Sequence, residues 1–186
     1  QAFVNTIIIA FFKITLSILV PLVLSLMLNE VTKSWFKRSV QTIVFIPYFF
    51  SWAILAGMVL EIFAYDGVIN NVLESLFGME SIAFLVSNKY FRTIVIGSDV
   101  WKGMGYNTVL LLAAITNVDP TLHEAAQVDG AGRWKQMLHV TLPGIMPMVA
   151  VLTVLGLGGI LNAGFEQILI MYNPTVEKTV DILDTL

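Results

Sequence analysis

Apolar residues gather in four long stretches of this chain, at residues 4–28, 40–63, 91–117 and 143–162, with short polar segments between them. A helix needs roughly 20 mostly apolar residues to cross the hydrocarbon core of a membrane, and each stretch is long enough. The pattern therefore predicts an all-α integral membrane protein, a polytopic helix bundle that crosses the membrane at these four places.

The polar segments differ in their content of lysine and arginine, which favour the cytoplasmic side when they lie in short loops. Segments 29–39 and 118–142 together hold five such residues, whereas the remaining segments and their edges hold three. We therefore predict that 29–39 and 118–142 are cytoplasmic and that 64–90 and 163–186 lie outside.

Residues 64–85, within the first outer segment, are amphipathic, with apolar residues recurring at helical spacing. Asp66 and Gly67 form a turn signal before the apolar residues, and Gly78 is a typical helix stop. We expect a short helix there, lying on the outer surface of the membrane.

The composition narrows the classes of function. Only 12% of the residues are charged and the mean hydropathy is +0.83, whereas a soluble domain has about a quarter charged residues. The chain has no cysteine, which excludes a disulfide framework, a thiolate zinc site and a thiol nucleophile. A net charge of -3 offers no basic surface for a nucleic acid.

The segment 118–142 is too polar for a membrane span and follows the rules for helix ends. Asp119 and Pro120 combine an N-cap carboxylate with a proline at the first helical position, and Gly130 suits a left-handed stop. We predict one helix over 120–129 and a second over 131–139. Two short helices held between two spans would form a rigid knob, suited to docking on a cytoplasmic partner.

The same segment resembles the EAA loop of binding-protein-dependent ABC importer permeases. The matching pattern is Glu124-Ala125-Ala126, three residues, Gly130, nine residues, then Val140-x-Leu142-Pro143. The family has isoleucine where this chain has Val140. Three further stretches, FKRSVQTIVFIPYFFSW, SDVWKGMGYNT and NAGFEQILIMYNP, are similar to sugar-type permeases that serve oligosaccharides or polysaccharides.

The resemblance implies the fold of an ABC importer permease, with a cytoplasmic coupling-helix loop, in a bacterial-type cytoplasmic (inner) membrane. It implies four kinds of partner: a second permease subunit, two cytoplasmic ATPase subunits that bind ATP and Mg, an external solute-binding protein and a saccharide. The chain starts at Gln1 and its four spans do not make a full pathway. We expect a fragment, with at least one further span on each side.

The resemblance also assigns roles within the loop. Glu124, Ala125, Ala126 and Gly130 are implied as the residues that couple the permease to an ATPase subunit. Asp129 and Arg133 are expected as polar contacts at the rim of that docking site. The closing motion of the ATPase subunits would then reach the spans through the docked loop and drive alternating access.

Ionisable residues inside the predicted spans are candidates for the substrate path. Asp99 and Lys102 lie three residues apart and share a helix face, so the favoured interpretation is that they neutralise each other. The alternative is that they line a water-filled path. Lys13 either extends to the outer surface or faces the path, and the two readings are equally supported. Further candidates for the path are Trp101, Tyr106, Asn107, Asn162 and Glu166.

Residues after the fourth span and around the second carry weaker signals. For Asn162, Glu166 and Gln167 a solvated outer loop is the favoured interpretation. Tyr48 and Trp52, at one-turn spacing, are expected to serve packing more than sugar binding.

No catalytic constellation stands out, and we expect the chain to be a transport subunit and not an enzyme. There is no Walker A sequence, so ATP is not expected to bind here, and no cofactor or metal is expected in this chain. His123 and His139 lack metal-ligand spacing. The alternatives are a permease for an amino acid, phosphate or metal chelate, an ATPase-independent secondary transporter, and a purely structural membrane subunit.

Overall fold

The structure is a computed structural model that describes residues 2–158, 164–176 and 182. The described residues are predominantly helical and contain no strand, which confirms the predicted all-α fold. The α-helices are α1 (Ala2–Glu30), α2 (Ser34–Phe45), α3 (Trp52–Ile62), α4 (Val68–Phe77), α5 (Asn88–Thr116), α6 (Pro120–Val128), α7 (Arg133–Gln136), α8 (Leu142–Gly158) and α9 (Phe165–Met171). Short 3-10 helices lie at Ile46–Phe49, Phe84–Val86 and Pro174–Val176, and a π-helical turn at Met137–Thr141.

Helices α1 and α5 pack side by side along their length and form the spine of the fold. The buried apolar residues described by the structure fall into two clusters along this spine. In the first, Ile9 of α1 and Phe91 of α5 meet residues of α3 and α9. In the second, Leu28 and Leu111 meet Ile145 of α8. The C-terminal ends of α1 and α5 therefore lie at the same end of the bundle. This agrees with the predicted topology, in which the segments that follow them, 29–39 and 118–142, are on the same side of the membrane.

Large apolar side chains remain exposed over much of the surface, including Phe3, Phe11, Val23 and Met27 on α1. A helix that is apolar all round is expected where its outer face meets lipid or a partner helix. Among the described residues, α1 and the continuous helix Arg133–Gly158 are long and apolar enough to cross a membrane. The assignment of the four stretches as spans stays a prediction, and residues 159–162 of the last stretch lie outside the described residues.

The stretch 40–63 is not one straight helix. Ser34–Phe49 and Trp52–Ile62 meet at an angle of 110°. Pro47 starts the 3-10 turn that ends the first half, and Phe50 and Ser51 then adopt extended backbone, with Phe50 at φ -82 and ψ 140. Proline cannot donate a helical hydrogen bond and favours such a break. If this stretch crosses the membrane, it does so as a broken span.

The predicted short helix in the outer segment is confirmed as α4, which ends at the left-handed Gly78 (φ 62). Its one buried residue, Asn70, organises the surrounding loop. The Asn70 amide donates to the carbonyls of Ala64, Tyr65 and Ile82 at 2.9–3.1 Å and accepts from the Ile82 N–H at 2.9 Å. This single side chain therefore holds the segment from 64 to 82 together, a role the sequence pattern does not reveal.

Candidate functional site: an exposed helix and an interior polar network

Helix α6 has well-defined ends, as the sequence predicts. At its start, Oδ1 of Asp119 accepts a hydrogen bond from the Thr121 N–H at 2.9 Å, and Pro120 is the first helical residue. That backbone hydrogen bond lowers the pKa of the Asp119 carboxyl below its usual value. At its end, Gly130 has φ +75, and the Ala131 N–H donates to the carbonyl of Ala126 at 2.8 Å. The predicted helix and its glycine stop are confirmed.

Most of the surface of α6 is accessible. The structure describes the whole helix, and none of its residues is buried. Glu124 and Ala125 are exposed and Ala126 is half-buried. Two large apolar side chains are also exposed, Leu122 at 53% and Val128 at 89%. Asp129, Gly130 and Arg133 are exposed next to this helix, so five of the six predicted coupling residues are exposed and Ala126 is half-buried.

The prediction of a separate second helix over 131–139 is wrong. Helix α7 covers only Arg133–Gln136 and continues through the π-helical turn into α8, giving one helix over Arg133–Gly158. The physical reason lies at Pro143, which has no N–H and would clash with the carbonyl four residues earlier in a regular helix. A wider turn just before a proline accommodates the ring. The knob is thus built directly onto the end of α8.

The turn between α6 and α7 is also tied down. The Gln136 side chain donates to the carbonyl of Ala131 at 2.7 Å, and Met137 and Thr141 are buried in the π-helical turn that precedes α8. Trp134, on the same helix, is 73% exposed. The connection between α6 and α8 is therefore short and hydrogen-bonded.

The interior holds a polar network that joins α1, α5 and α9. The Lys13 ammonium lies 3.4 Å from Oδ1 of Asp99 and donates to Oε1 of Gln167 at 2.5 Å. The Gln167 amide in turn donates to the Val95 carbonyl at 2.7 Å and to Oγ of Ser98 at 2.8 Å. Lys13 is 6% exposed and Gln167 is fully buried. A cavity of about 200 Å³ adjoins Lys13 and Asp99.

This network corrects two sequence interpretations, for Asp99 and Gln167, and decides between the two that were open for Lys13. Asp99 pairs with Lys13, and no ion pair between Asp99 and Lys102 exists among the described residues. Lys13 does not extend to the surface, because it turns inward to the carboxylate. Gln167 lies in a buried helix face and not in a solvated loop, because α9 packs against α3 and α5. Glu166 beside it is exposed, and Asn162 lies outside the described residues.

The remaining candidates for the path separate into two groups. Asn107 donates to the carbonyl of Ser17 at 3.0 Å and thereby joins α5 to α1. Trp101 packs against the first apolar cluster and lines an apolar groove of about 400 Å³ with Phe63 and Tyr90. Both residues therefore have packing roles within this chain. Lys102 and Tyr106 form the second group, next to the break between α2 and α3.

Aromatic rings surround Lys102 and Tyr106. The Lys102 ammonium donates to the carbonyl of Phe50 and lies 5.1 Å from the centre of the Trp52 ring. The Tyr106 ring stacks on Tyr48 with a centroid distance of 4.8 Å and an interplanar angle of 9°. Tyr48 and Trp52 lie on either side of the break, so their one-turn spacing in sequence does not place them on one helix face.

Gly105 explains how the end of α2, just before the break, comes so close to α5. A Cβ atom at this position would lie 2.6 Å from Cα of Phe45 and would also overlap the carbonyl of Val44. Only glycine permits that approach. Gly105 lies between Lys102 and Tyr106 on α5. The close approach at Gly105 therefore helps to place Lys102 and Tyr106 next to the break. Among the described residues, no group of three His, Asp or Glu side chains is arranged to hold a metal ion.

Comparison with known proteins places these features in a family context. Residues 6–180 match the family described as binding-protein-dependent transport system inner membrane component. The polygalacturonan/rhamnogalacturonan transport system permease protein YteP of Bacillus subtilis (strain 168) is 41% identical over 97% of this chain and 56% of that protein. Protein LplB of the same organism is 42% identical, over 97% of this chain and 57% of that protein.

A solved structure is similar to this chain over nearly its whole length. It is the crystal structure of a bacterial ABC transporter involved in the import of the acidic polysaccharide alginate. One of its chains superposes with a TM-score of 0.94 and 42% identity, over 99% of this chain and 64% of that chain. The present chain thus spans somewhat more than half the length of these two curated proteins.

Proposed function

This chain belongs to the family of binding-protein-dependent transport system inner membrane components, and on that premise we propose that it is a permease subunit of an ATP-driven importer. Its cargo is an oligosaccharide or a polysaccharide-derived sugar, delivered by an external binding protein. The chain forms a heterodimer with a second permease subunit. It lies in a bacterial-type cytoplasmic membrane and crosses that membrane several times. Two cytoplasmic ATPase subunits bind ATP and Mg and carry out hydrolysis, so this chain has no catalytic role.

The observation that carries this proposal is the exposed helix α6, capped at both ends and followed, after a short turn, by the continuous helix Arg133–Gly158. Ala125 and Ala126 supply small side chains beside Glu124 for a cleft of an ATPase subunit, and Leu122 and Val128 supply apolar area. Asp129 and Arg133 flank that surface, and Gly130 sets the angle between α6 and α7.

The mechanism follows from how α8 is packed. When the ATPase subunits close on ATP, α6 moves with them, and the hydrogen-bonded turn at Gln136 carries that movement into α8. Ile145 of α8 packs in one cluster with Leu28 of α1 and Leu111 of α5. Closely packed helices shift as units and not by gradual deformation. ATP binding therefore biases the bundle between its inward-open and outward-open states, which is alternating access.

The test uses the complete transporter in proteoliposomes, with Glu124→Lys and Gly130→Asp in this chain. Both variants should insert and assemble in the membrane yet lose saccharide uptake, since one reverses a charge on α6 and the other strains its end. Gly132→Asp is the matched control, because Gly132 has φ -67 and is an N-cap position where aspartate is favoured. It should retain most of the uptake.

Normal uptake and normal stimulation of ATP hydrolysis in both variants would contradict the coupling role. Uptake that persists without ATP would identify a secondary transporter instead. Identification of the ligand on the cognate binding protein then decides the cargo, and an amino acid, phosphate or metal chelate there would contradict the saccharide assignment.

A further inference from the structure

Lys102 carries a positive charge that no acidic group in the described part of the chain balances. It lies at the midpoint of the 29-residue α5, within a stretch predicted to cross the membrane. Its nearest acidic neighbour along the helix, Asp99, is paired with Lys13. A charge at membrane depth is unfavourable unless a partner or water compensates it, so such a residue marks a functional site by default.

The ammonium of Lys102 is held in place but retains bonding capacity. Of its three N–H groups, one donates to the carbonyl of Phe50, an extended residue at the break between α2 and α3. The ring of Trp52 lies 5.1 Å away and contributes a cation–π attraction. These contacts orient the ammonium without neutralising it, and two donors remain for another group.

An aromatic surface lies beside this cation. Tyr106 is one turn along α5 from Lys102 and therefore on the same helix face. One face of its ring stacks on Tyr48 at 4.8 Å, and Tyr48 in turn stacks on Phe45 at 5.8 Å. Tyr106 is 41% exposed, so it forms the accessible end of a three-ring stack next to the ammonium.

We propose that Lys102 and Tyr106 form a subsite that selects the carboxylate of a uronic-acid-containing oligosaccharide during its passage. The inference rests on the proposed function and specifies its cargo as an anionic saccharide. An ammonium binds a carboxylate through charge-assisted hydrogen bonds, which are about twice as strong as neutral ones. A pyranose ring offers an apolar face to the tyrosine, and its carboxylate reaches the free donors of the lysine. A neutral sugar would leave the charge of Lys102 uncompensated.

The experiment compares one saccharide in a charged and a neutral form. Tetragalacturonate and its methyl ester differ in charge but share the same rings, and oligomannuronate with its methyl ester provides a second pair. Binding of each form by the cognate binding protein is measured first. Initial transport rates are then measured in proteoliposomes that contain the complete transporter and saturating loaded binding protein.

The wild-type transporter should carry at least one of the acids about tenfold faster than its ester, the effect of roughly one charge-assisted hydrogen bond. Lys102→Gln, which keeps a donor for the Phe50 carbonyl, should bring this ratio close to one, and Lys102→Arg should preserve the preference. Tyr106→Leu should slow the acid and the ester equally. Lys89→Gln is the matched control, because Lys89 is an exposed lysine at the start of the same helix, and it should leave the ratio unchanged.

Three results would overturn the proposal. One is a wild-type ratio near one. Another is an equal loss of acid and ester transport in Lys102→Gln, which would mean that Lys102 serves packing or pairs with a carboxylate of the partner permease. The third is a binding protein and transporter that handle neutral oligosaccharides but no uronide, which would leave the proposed function intact. Absence of ATP-dependent uptake of any saccharide would instead refute the proposed function itself.

Discussion

The α6 knob and the polar network around Lys13 satisfy their polar groups over very different distances along the chain. In the knob, Asp119 bonds to Thr121 two residues away and Gln136 to Ala131 five residues away. In the network, Lys13 reaches Asp99 and Gln167 over 86 and 154 residues. The knob can therefore keep its shape while exposed, whereas the network exists only when α1, α5 and α9 are assembled.

Because of this difference, substitutions in the network and substitutions in the knob should have different effects. Changes in the network should affect the stability of the bundle, because they leave buried polar groups without partners. Changes in the knob should affect communication with a partner and spare the bundle. Between the two lies the contact of α5 with the broken second stretch, where close backbone approach at Gly105 is the controlling feature.

The largest effect is expected from Lys13→Met. The change removes the buried ammonium that Oε1 of Gln167 and the Asp99 carboxylate share. We therefore expect the free energy of unfolding to fall by about 3 kcal/mol. The matched change Lys89→Met, at an exposed lysine, should alter stability by no more than about 0.5 kcal/mol. Thermal unfolding of the purified transporter in detergent measures both. Equal midpoints for the two variants would mean that the network contributes little.

An intermediate effect is expected from Gly105→Ala. The added methyl group would overlap the backbone at Val44 and Phe45. Such overpacking typically destabilises a protein by about 1–3 kcal/mol. Gly103→Ala, on the same helix with no atom within 4 Å of the added carbon, should instead be neutral or stabilising by up to about 1 kcal/mol. If both alanines have the same effect in thermal unfolding, close approach at Gly105 is not required.

A smaller effect is expected from Gly130→Ala. With φ +75, a residue that has a Cβ atom is strained by roughly 1 kcal/mol, and this strain loosens the end of α6 without disturbing the core. Hydrogen exchange of the Ala131 amide, which donates to Ala126, should become faster, while the midpoint of global unfolding stays unchanged. A lowered midpoint with unchanged exchange would contradict the separation of knob and bundle.

The smallest effect concerns the pH dependence of the α6 cap. Because the folded pKa of Asp119 is depressed by the Thr121 N–H, its contribution to capping is present above the unfolded pKa of about 3.9 and is lost as pH falls through the folded value. Protection of the Thr121 amide against hydrogen exchange should therefore be present at higher pH and should decrease as the pH falls through the folded pKa of Asp119. Asp119→Asn should remove the pH dependence and Asp119→Ala the protection. Identical exchange in all three proteins would exclude a capping role.

Local features of this fold were predictable from sequence, and long-range pairings were not. Asp119, Pro120 and Gly130 act through neighbouring backbone, so cap rules located α6 correctly. Lys13 and Gln167 are far apart in sequence, and nothing local indicates which of several polar residues meet. One signal was present: Gln167, Ile168 and Met171 recur at helical spacing, a pattern typical of a buried helix face.

Two backbone irregularities also escaped the sequence patterns. Pro47 marked a weak point in the second stretch, but the 110° bend depends on the extended backbone at Phe50 and Ser51. The apolar pattern starts the fourth predicted span at Pro143, whereas a widened turn lets α7 run into α8. In both cases proline signals a departure from regular helix, and the tertiary packing decides its form.

The central claim is that α6 is the surface that docks on an ATPase subunit. The chain has no native cysteine, so a single cysteine at Val128, which is 89% exposed, can carry a cross-linker in the complete transporter. A cysteine at Leu76 on α4, which is 71% exposed, is the control on the opposite side of the predicted topology. The account predicts efficient cross-linking of position 128 to an ATPase subunit and none from position 76. Cross-linking from position 76, or none from position 128 in an active transporter, would contradict it.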